Sequence, residues 1–200
     1  MLLAVPLGIT QCSGPDPQER ARPTQAPLPH SQPKNLTVTS IGVDAKLVPI
    51  GLAKDGSLGV PAKRELNTAG WYQGSASPGE PGQAVLTGHV DSDKQRSIFF
   101  RLSELSKGDR LAVRRADGRT AHFTVDERKY VRTKDFPTGQ VLDRSGSPGL
   151  WVITCAPPYD KKTHSYQSNL LVHARMTDVT GSAGRIHAKS KPGENRLSRF

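Results

Sequence analysis

Apolar residues are scarce in this sequence, at 34%, whereas its 16 prolines and 19 glycines exceed average usage. This composition predicts that part of the chain does not pack into a core. The apolar opening over residues 1–11 is too short to span a bilayer as written. The 200 residues suffice for one ordinary domain.

A metal-binding sequence pattern is also missing: the six histidines are not spaced with carboxylates or cysteines as metal ligands are. We therefore predict no metal site. The net charge of +10 comes without a recognition helix, zinc spacing or stacking-aromatic motif, which argues against nucleic acid as a partner. Attraction to an anionic cell envelope or membrane face fits this charge at least as well.

Composition divides the chain into four parts. Residues 1–12 resemble the end of a secretory segment whose basic start is missing, and we assign them to a vestigial secretory or anchor segment. Residues 13–34 predict a proline-rich disordered spacer, residues 35–176 the folded domain, and residues 177–200 a basic flexible tail of net charge +3.

There are only two cysteines, Cys12 and Cys155. They are able to form a disulfide outside the cell. If Cys12 is cleaved off or lipidated instead, Cys155 has no partner. The sequence leaves both alternatives open.

Between its two ends the chain shows mostly strand patterns. We predict an all-β fold, a closed or nearly closed eight-stranded β-barrel with one or two short helices. A short helix or turn that packs on the barrel is expected at Ser97–Leu105, where Phe99, Leu102 and Leu105 share a helical face. The eight expected strands are Asn35–Ile41, Ala45–Ile50, Leu58–Val60, Gln83–Val90, Arg110–Arg115, Ala121–Tyr130, Leu150–Thr154 and Asn169–Ala174.

Two short segments place a reactive side chain just past a strand. These are Leu-Thr-Gly-His-Val-Asp at 86–91 and Val-Ile-Thr-Cys-Ala-Pro-Pro-Tyr-Asp at 152–160. A thiolate there is able to attack a carbonyl, and an imidazole is able to protonate the leaving amine. Local composition alone favours a buried, inert Cys155 and a surface or capping His89.

The amino-acid sequence of these two segments resembles that of the sortases, the cell-wall transpeptidases of Gram-positive bacteria, and most closely that of the actinobacterial class F group. The resemblance covers about residues 35–176. Besides the two segments it includes Val-Thr-Ser-Ile-Gly-Val-Asp-Ala at 38–45, Gly70-Trp71-Tyr72, Pro78-Gly79, Phe99-Phe100-Arg101-Leu102, and Tyr159-Asp160 with Thr163, Tyr166 and Asn169.

The resemblance implies an eight-stranded barrel and a cysteine transpeptidase that needs no organic cofactor. Cys155 would attack the Thr carbonyl of a C-terminal sorting signal similar to Leu-Pro-X-Thr-Gly, and an amine such as a peptidoglycan precursor would resolve the thioester. His89 would be the general acid and then the base. We expect a monomer that works outside the membrane, secreted or anchored through its N-terminus.

The third catalytic group departs from the family pattern, because Asn169 stands where sortases usually place an arginine. Its amide is able to donate to an oxyanion. Class F members are described as using His, Cys and Arg, so Arg101 is a candidate, although packing or a surface salt bridge is favoured there. Lys161 is another, as a group that steers a carboxylate or lowers the thiol pKa. Asp91 either orients the imidazole or caps a turn.

Two readings compete with catalysis by this dyad. An L,D-transpeptidase also orders His before Cys, but the segment Ile-Thr-Cys-Ala-Pro lacks its Ser-His-Gly-Cys pattern. A catalytically weak or idle peptide-binding module on a sortase scaffold is the stronger alternative, because the usual arginine is absent.

Overall fold

The computed structural model describes residues 26–92 and 95–182. The predicted N-terminal segment, the start of the spacer and most of the tail, and with them Cys12, lie outside these ranges. The strands are β1 (Pro33–Val38), β2 (Val43–Ile50), β3 (Thr68–Tyr72), β4 (Gln83–Thr87), β5 (Asp91–Ser92), β6 (Gln95–Arg96), β7 (Arg110–Arg115), β8 (Thr120–Arg132), β9 (Gly149–Asp160) and β10 (Ser165–Thr180); the short helix α1 spans Thr138–Val141.

Eight of these strands close into a barrel in the order β1-β2-β3-β4-β9-β10-β8-β7, and β5 and β6 form a separate two-stranded ribbon. The pairs β2·β3 and β4·β9 are parallel, whereas β9·β10 and β10·β8 are antiparallel. Closure removes free sheet edges, which otherwise invite association with other chains. The predicted eight-stranded barrel is therefore confirmed.

One strand of the prediction was wrong. Leu58–Val60 forms only an isolated bridge from Leu58 to Leu52, and the third barrel strand is Thr68–Tyr72 instead. The apolar alternation of Leu58–Val60 lines a groove rather than a core. The short helix or turn expected at Ser97–Leu105 is a 3₁₀ turn at Leu102–Glu104, and the three apolar side chains of the segment are buried as expected.

The strands β4, β9 and β10 are buried on both faces. Along β9, Leu150 and Val152 belong to the barrel core, whereas Trp151 and Ile153 belong to a second cluster outside it, which includes Val141 of α1. Strands covered on both faces need continuous apolar runs, which explains the sequence around 150–154. These three strands form the rigid centre on which the candidate site lies.

The start of the described chain packs against the barrel rather than extending away from it. Leu28 is buried, and the fully buried Arg115 guanidinium donates to the carbonyl oxygens of Pro29 and Pro78 and pairs with Asp117. Residues 26–34, which the sequence assigns to the spacer, are thus held by a buried cation. At the other end β10 continues to Thr180, four residues past the predicted domain end.

Candidate functional site

Cys155 and Asn169 lie side by side on the outer face of the barrel. They are register partners in the β9·β10 ladder. Ile153 belongs to the outer cluster while Thr154 is buried, so alternation along β9 directs Cys155 outward. The same parity from Leu171 of the outer cluster directs Asn169 outward on β10. Cys155 is exposed and makes no disulfide among the described residues.

The parallel pairing of β4 with β9 brings His89 to the same place. The ladder ends at Thr87 opposite Ile153. Gly88 continues it, because its N–H donates to the Ile153 carbonyl at 3.2 Å and its own carbonyl accepts from Thr154 Oγ1 at 2.8 Å. The next residues are His89 and Cys155, on neighbouring segments about 4.8 Å apart. The expectation that Cys155 lies just past a strand was wrong, because β9 continues through it to Asp160, paired with β10.

A loop carbonyl orients the His89 ring. Nε2 of His89 donates to the Pro61 carbonyl oxygen at 2.9 Å. Because a carbonyl only accepts, Nε2 carries a hydrogen, and Nδ1 is the nitrogen left to exchange a proton. Thr87 Oγ1 holds the same loop by donating to the Gly59 carbonyl at 2.8 Å. The β2–β3 connection therefore builds part of the site.

Cys155 lies in a groove of about 590 Å³. Its floor is the outer face of β9 and β10, and its two walls are the β2–β3 and β8–β9 connections. This volume is typical of sites that hold a small ligand or a short peptide segment. The walls are largely apolar, with Leu52, Leu58 and Val60 on one side and Phe136 and Leu142 on the other; Thr87, Gly88, Tyr166 and Asn169 complete the lining with several polar residues of the two loops.

The electrostatics around the thiol oppose its ionisation. Although Cys155 opens to solvent on the groove side, the protein atoms packed around it partly desolvate the thiol and raise its pKa, and the Asp91 carboxylate raises it further. Asp91 also accepts a hydrogen bond from the Tyr166 hydroxyl at 2.5 Å. That bond is the main reason why the pKa of Tyr166 is raised to about 12, with smaller contributions from burial and from Cys155. Cys155, Asp91 and Tyr166 thus form one electrostatic group.

The other predicted site residues lie differently. Asn169 lines the groove, and its Nδ2 is 3.3 Å from Thr133 Oγ1. Arg101 does not line it: the guanidinium pairs with Glu104 at 2.6 Å and donates to the Ile41 carbonyl. Lys161 is exposed in the turn between β9 and β10, also outside the groove lining. His89 and Asp91 lie beside the groove, next to its lining residues Gly88 and Tyr166, but do not line it themselves. Asp91 contacts Tyr166 rather than the imidazole.

Two contributions were missed by sequence reasoning. The Pro61 carbonyl has no sequence signature, because every residue carries a backbone acceptor. The Asp91–Tyr166 contact joins residues 75 positions apart. It follows a β-bulge in which Pro157 and Pro158 oppose Gln167 alone, which resets the register before Tyr166. Both Tyr166 and Asp91 were singled out in the sequence, but their contact with each other was not predicted.

Within the described ranges, no three His, Cys, Asp or Glu side chains gather as a metal site requires. No helix in the same ranges combines the length and the apolar character needed to cross a bilayer.

Comparison with known proteins gives a consistent picture. The family model described as the Sortase domain matches residues 36–177. No curated protein matches the chain.

Solved structures with a similar fold include sortase C-1 from Actinomyces oris, at 23% identity and a TM-score of 0.55, covering 71% of this chain and 72% of that one. The pilus-related sortase C of Group B Streptococcus gives 21% and 0.55, covering 76% and 69%. Sortase C-1 from Streptococcus pneumoniae gives 23% and 0.54, covering 72% and 65%. At these identities the likeness shows the fold.

Proposed function

This chain belongs to the sortase family of cysteine transpeptidases, and from that premise we propose that it cleaves a sorting signal similar to Leu-Pro-X-Thr-Gly and transfers the protein to an amine of the cell envelope. Sortases act on proteins that carry such signals. The observation that carries the proposal is the exposed Cys155 in a peptide-sized groove, beside the loop that bears His89. We place this activity outside the membrane.

In the acylation step the Cys155 thiolate attacks the Thr carbonyl carbon of the signal. A C–S bond forms, the tetrahedral intermediate collapses, and the C–N bond to Gly breaks. His89, acting as the imidazolium, protonates the leaving amine and becomes neutral. Since the Pro61 carbonyl occupies Nε2, this proton comes from Nδ1.

Asn169 is the proposed oxyanion donor. It is the register partner of Cys155, it faces the same groove, and Nδ2 carries two hydrogens, of which Thr133 Oγ1 takes one. A preorganised donor of this kind stabilises an oxyanion by about 3 kcal/mol. Arg101 and Lys161 do not line the groove, so we assign neither to the oxyanion.

The raised thiol pKa sets the pH dependence of this step. Below its pKa Cys155 is mostly the neutral thiol, which is a poor nucleophile. The reactive thiolate fraction therefore rises with pH. We expect acylation to depend on a minority thiolate at neutral pH.

The experiment that tests the proposal is labelling by a sorting-signal peptide whose Thr carbonyl is replaced by a thiol-reactive group. We expect covalent attachment to Cys155, none in Cys155→Ser, and much slower attachment in His89→Ala. The matched control is His164→Asn, which changes an exposed histidine of the β9–β10 turn whose φ of 51° asparagine adopts readily. Labelling that is equally fast in His89→Ala and wild type would contradict the proposal.

A second candidate function is peptide binding without turnover. One observation favours it: none of the groove-lining residues in the described part of the chain is an arginine. In that case the peptide would bind the groove, and Cys155 would remain unmodified by a natural signal.

A further inference from the structure

We infer that Asp91 and Tyr166 form the subsite that receives the ammonium form of the incoming amine. The inference rests on the proposed function and names the chemistry of its second substrate: a primary amine, cationic at neutral pH, whether an α-amino terminus or a lysine side chain.

The geometry puts a carboxylate at the edge of the groove. Asp91 is the first residue of β5, two positions beyond His89. The Tyr166 hydroxyl, which belongs to a residue lining the groove with Cys155, donates to Asp91 Oδ2 at 2.5 Å. Within residues 26–92 and 95–182, Oδ1 accepts no hydrogen bond. Tyr166 therefore fixes the carboxylate and leaves one oxygen for a ligand.

Asp91 has no cationic partner within the described ranges. Its partner across the ribbon is Arg96. The Arg96 guanidinium instead stacks on Phe100, 4.5 Å from the ring centroid. Asp91 is half-buried, and it lies close enough to Cys155 to raise the pKa of the thiol.

The position of this charge is unfavourable for the first half-reaction. A carboxylate near Cys155 raises the thiol pKa and so reduces the reactive thiolate. The second half-reaction has the opposite need, because a primary amine arrives mainly as a cation. A fixed carboxylate gathers that cation next to the thioester and competes with water for the acyl group.

The amine nitrogen forms a C–N bond with the thioester carbonyl carbon, and the C–S bond breaks to release the Cys155 thiolate. Of the three protons of the ammonium, one stays on the amide nitrogen, one passes to His89, and one is released to solvent. Asp91 keeps its charge throughout and acts by binding.

The test measures how the acyl-enzyme partitions between acceptors. The donor is a fluorescent peptide containing Leu-Pro-Ala-Thr-Gly. The acceptors are triglycine amide, Nα-acetyl-lysine amide, and hydroxylamine, which is neutral at pH 7.5. We expect Asp91→Asn to lower the preference for the two cationic acceptors over hydroxylamine by about tenfold, the loss of one charge-assisted hydrogen bond. The preferred cationic acceptor identifies the α- or ε-amine source.

Two further variants and a change of salt concentration test whether the effect comes from the charge of Asp91. Tyr166→Phe keeps the carboxylate but no longer fixes it, so the preference should fall by less than in Asp91→Asn. Asp178→Asn removes an exposed carboxylate of β10 that does not line the groove and should not change the preference. In wild type, raising NaCl from about 0.05 to about 0.5 M should lower the preference, because salt screens the charge pair.

An unchanged preference in Asp91→Asn, an equal loss in Asp178→Asn, a larger loss in Tyr166→Phe than in Asp91→Asn, or a preference that ignores salt would overturn the amine subsite while leaving the proposed function intact. If wild type forms no product with hydroxylamine, water or either amine, the proposed function fails and the inference fails with it.

Discussion

Replacing Gly88 by alanine tests how the catalytic pair is positioned. Gly88 immediately precedes His89 and bridges β4 to β9 through hydrogen bonds with Ile153 and Thr154. A Cβ at this position would lie 2.6 Å from Cδ2 of Phe99 and 3.0 Å from Cγ2 of Ile98. Gly88 is therefore needed for a close approach rather than for an unusual φ.

The size of the loss in Gly88→Ala depends on whether Phe99 or the backbone of residues 88–89 moves to admit the new methyl group. Phe99 is only 1% exposed and is part of the barrel core, so its ring has little freedom. Overpacking of this kind costs about 1–3 kcal/mol of stability. The alternative is that residues 88–89 shift outward, and a displacement of about 1 Å at a catalytic group lowers the rate about a hundredfold. We expect both effects in Gly88→Ala, with the larger loss in activity.

Urea denaturation and the rate of Cys155 labelling by the peptide mimic measure the two effects separately. The matched control is Gly139→Ala in α1, where an added Cβ meets nothing within 4 Å and alanine is the better helix former. Gly88→Ala with a stability within about 0.5 kcal/mol of wild type and an unchanged labelling rate would refute the reasoning.

Four further predictions follow from single contacts. Asn169→Ala should slow acyl-enzyme formation about a hundredfold in rapid-mixing experiments, and an unchanged rate would remove Asn169 from the oxyanion site. Arg115→Met should cost about 3–5 kcal/mol in urea denaturation, because Asp117 and the carbonyls of Pro29 and Pro78 lose a buried cation; a loss below about 1 kcal/mol would contradict this. The iodoacetamide reaction of Cys155 should rise with pH through a pKa above the ordinary thiol value, and Asp91→Asn should shift that profile to lower pH; coincident profiles would show that Asp91 does not act on the thiol. In ultraviolet titration, Tyr166→Phe should remove a phenol that ionises near pH 12; because the pKa is raised in the folded state, the stability that Tyr166 contributes is present below about pH 10 and is lost as pH rises towards 12.

The strands of the barrel could be predicted where burial alone determines which residues the local sequence contains. The run at 150–154 is continuously apolar because β9 is covered on both faces, and it was correctly assigned to a strand. The strand Thr68–Tyr72 was missed because it is short and contains Gly70. Leu58–Val60 was assigned to a strand because an apolar pattern looks the same whether it faces a core or a groove.

The candidate site was predictable only in part, for a physical reason. His89 follows β4, and Cys155 lies on β9 two residues beyond Ile153, where the β4·β9 ladder ends, so their neighbourhood follows from the parallel register of these two strands. The orientation of His89 depends on the path of the β2–β3 connection, and the contact of Asp91 with Tyr166 depends on a bulge. Loop paths and bulges are set by tertiary contacts, which local sequence does not encode.

The central claim is that Cys155 forms a thioester with a sorting signal. The most direct measurement is intact-protein mass spectrometry after mixing the chain with a library of sorting peptides, followed by fragment mapping. We predict a mass increase equal to the peptide cleaved after Thr, located on Cys155, released by hydroxylamine and absent in Cys155→Ser. Cleaved peptide with no adduct on Cys155, or an adduct on another residue, would contradict the account.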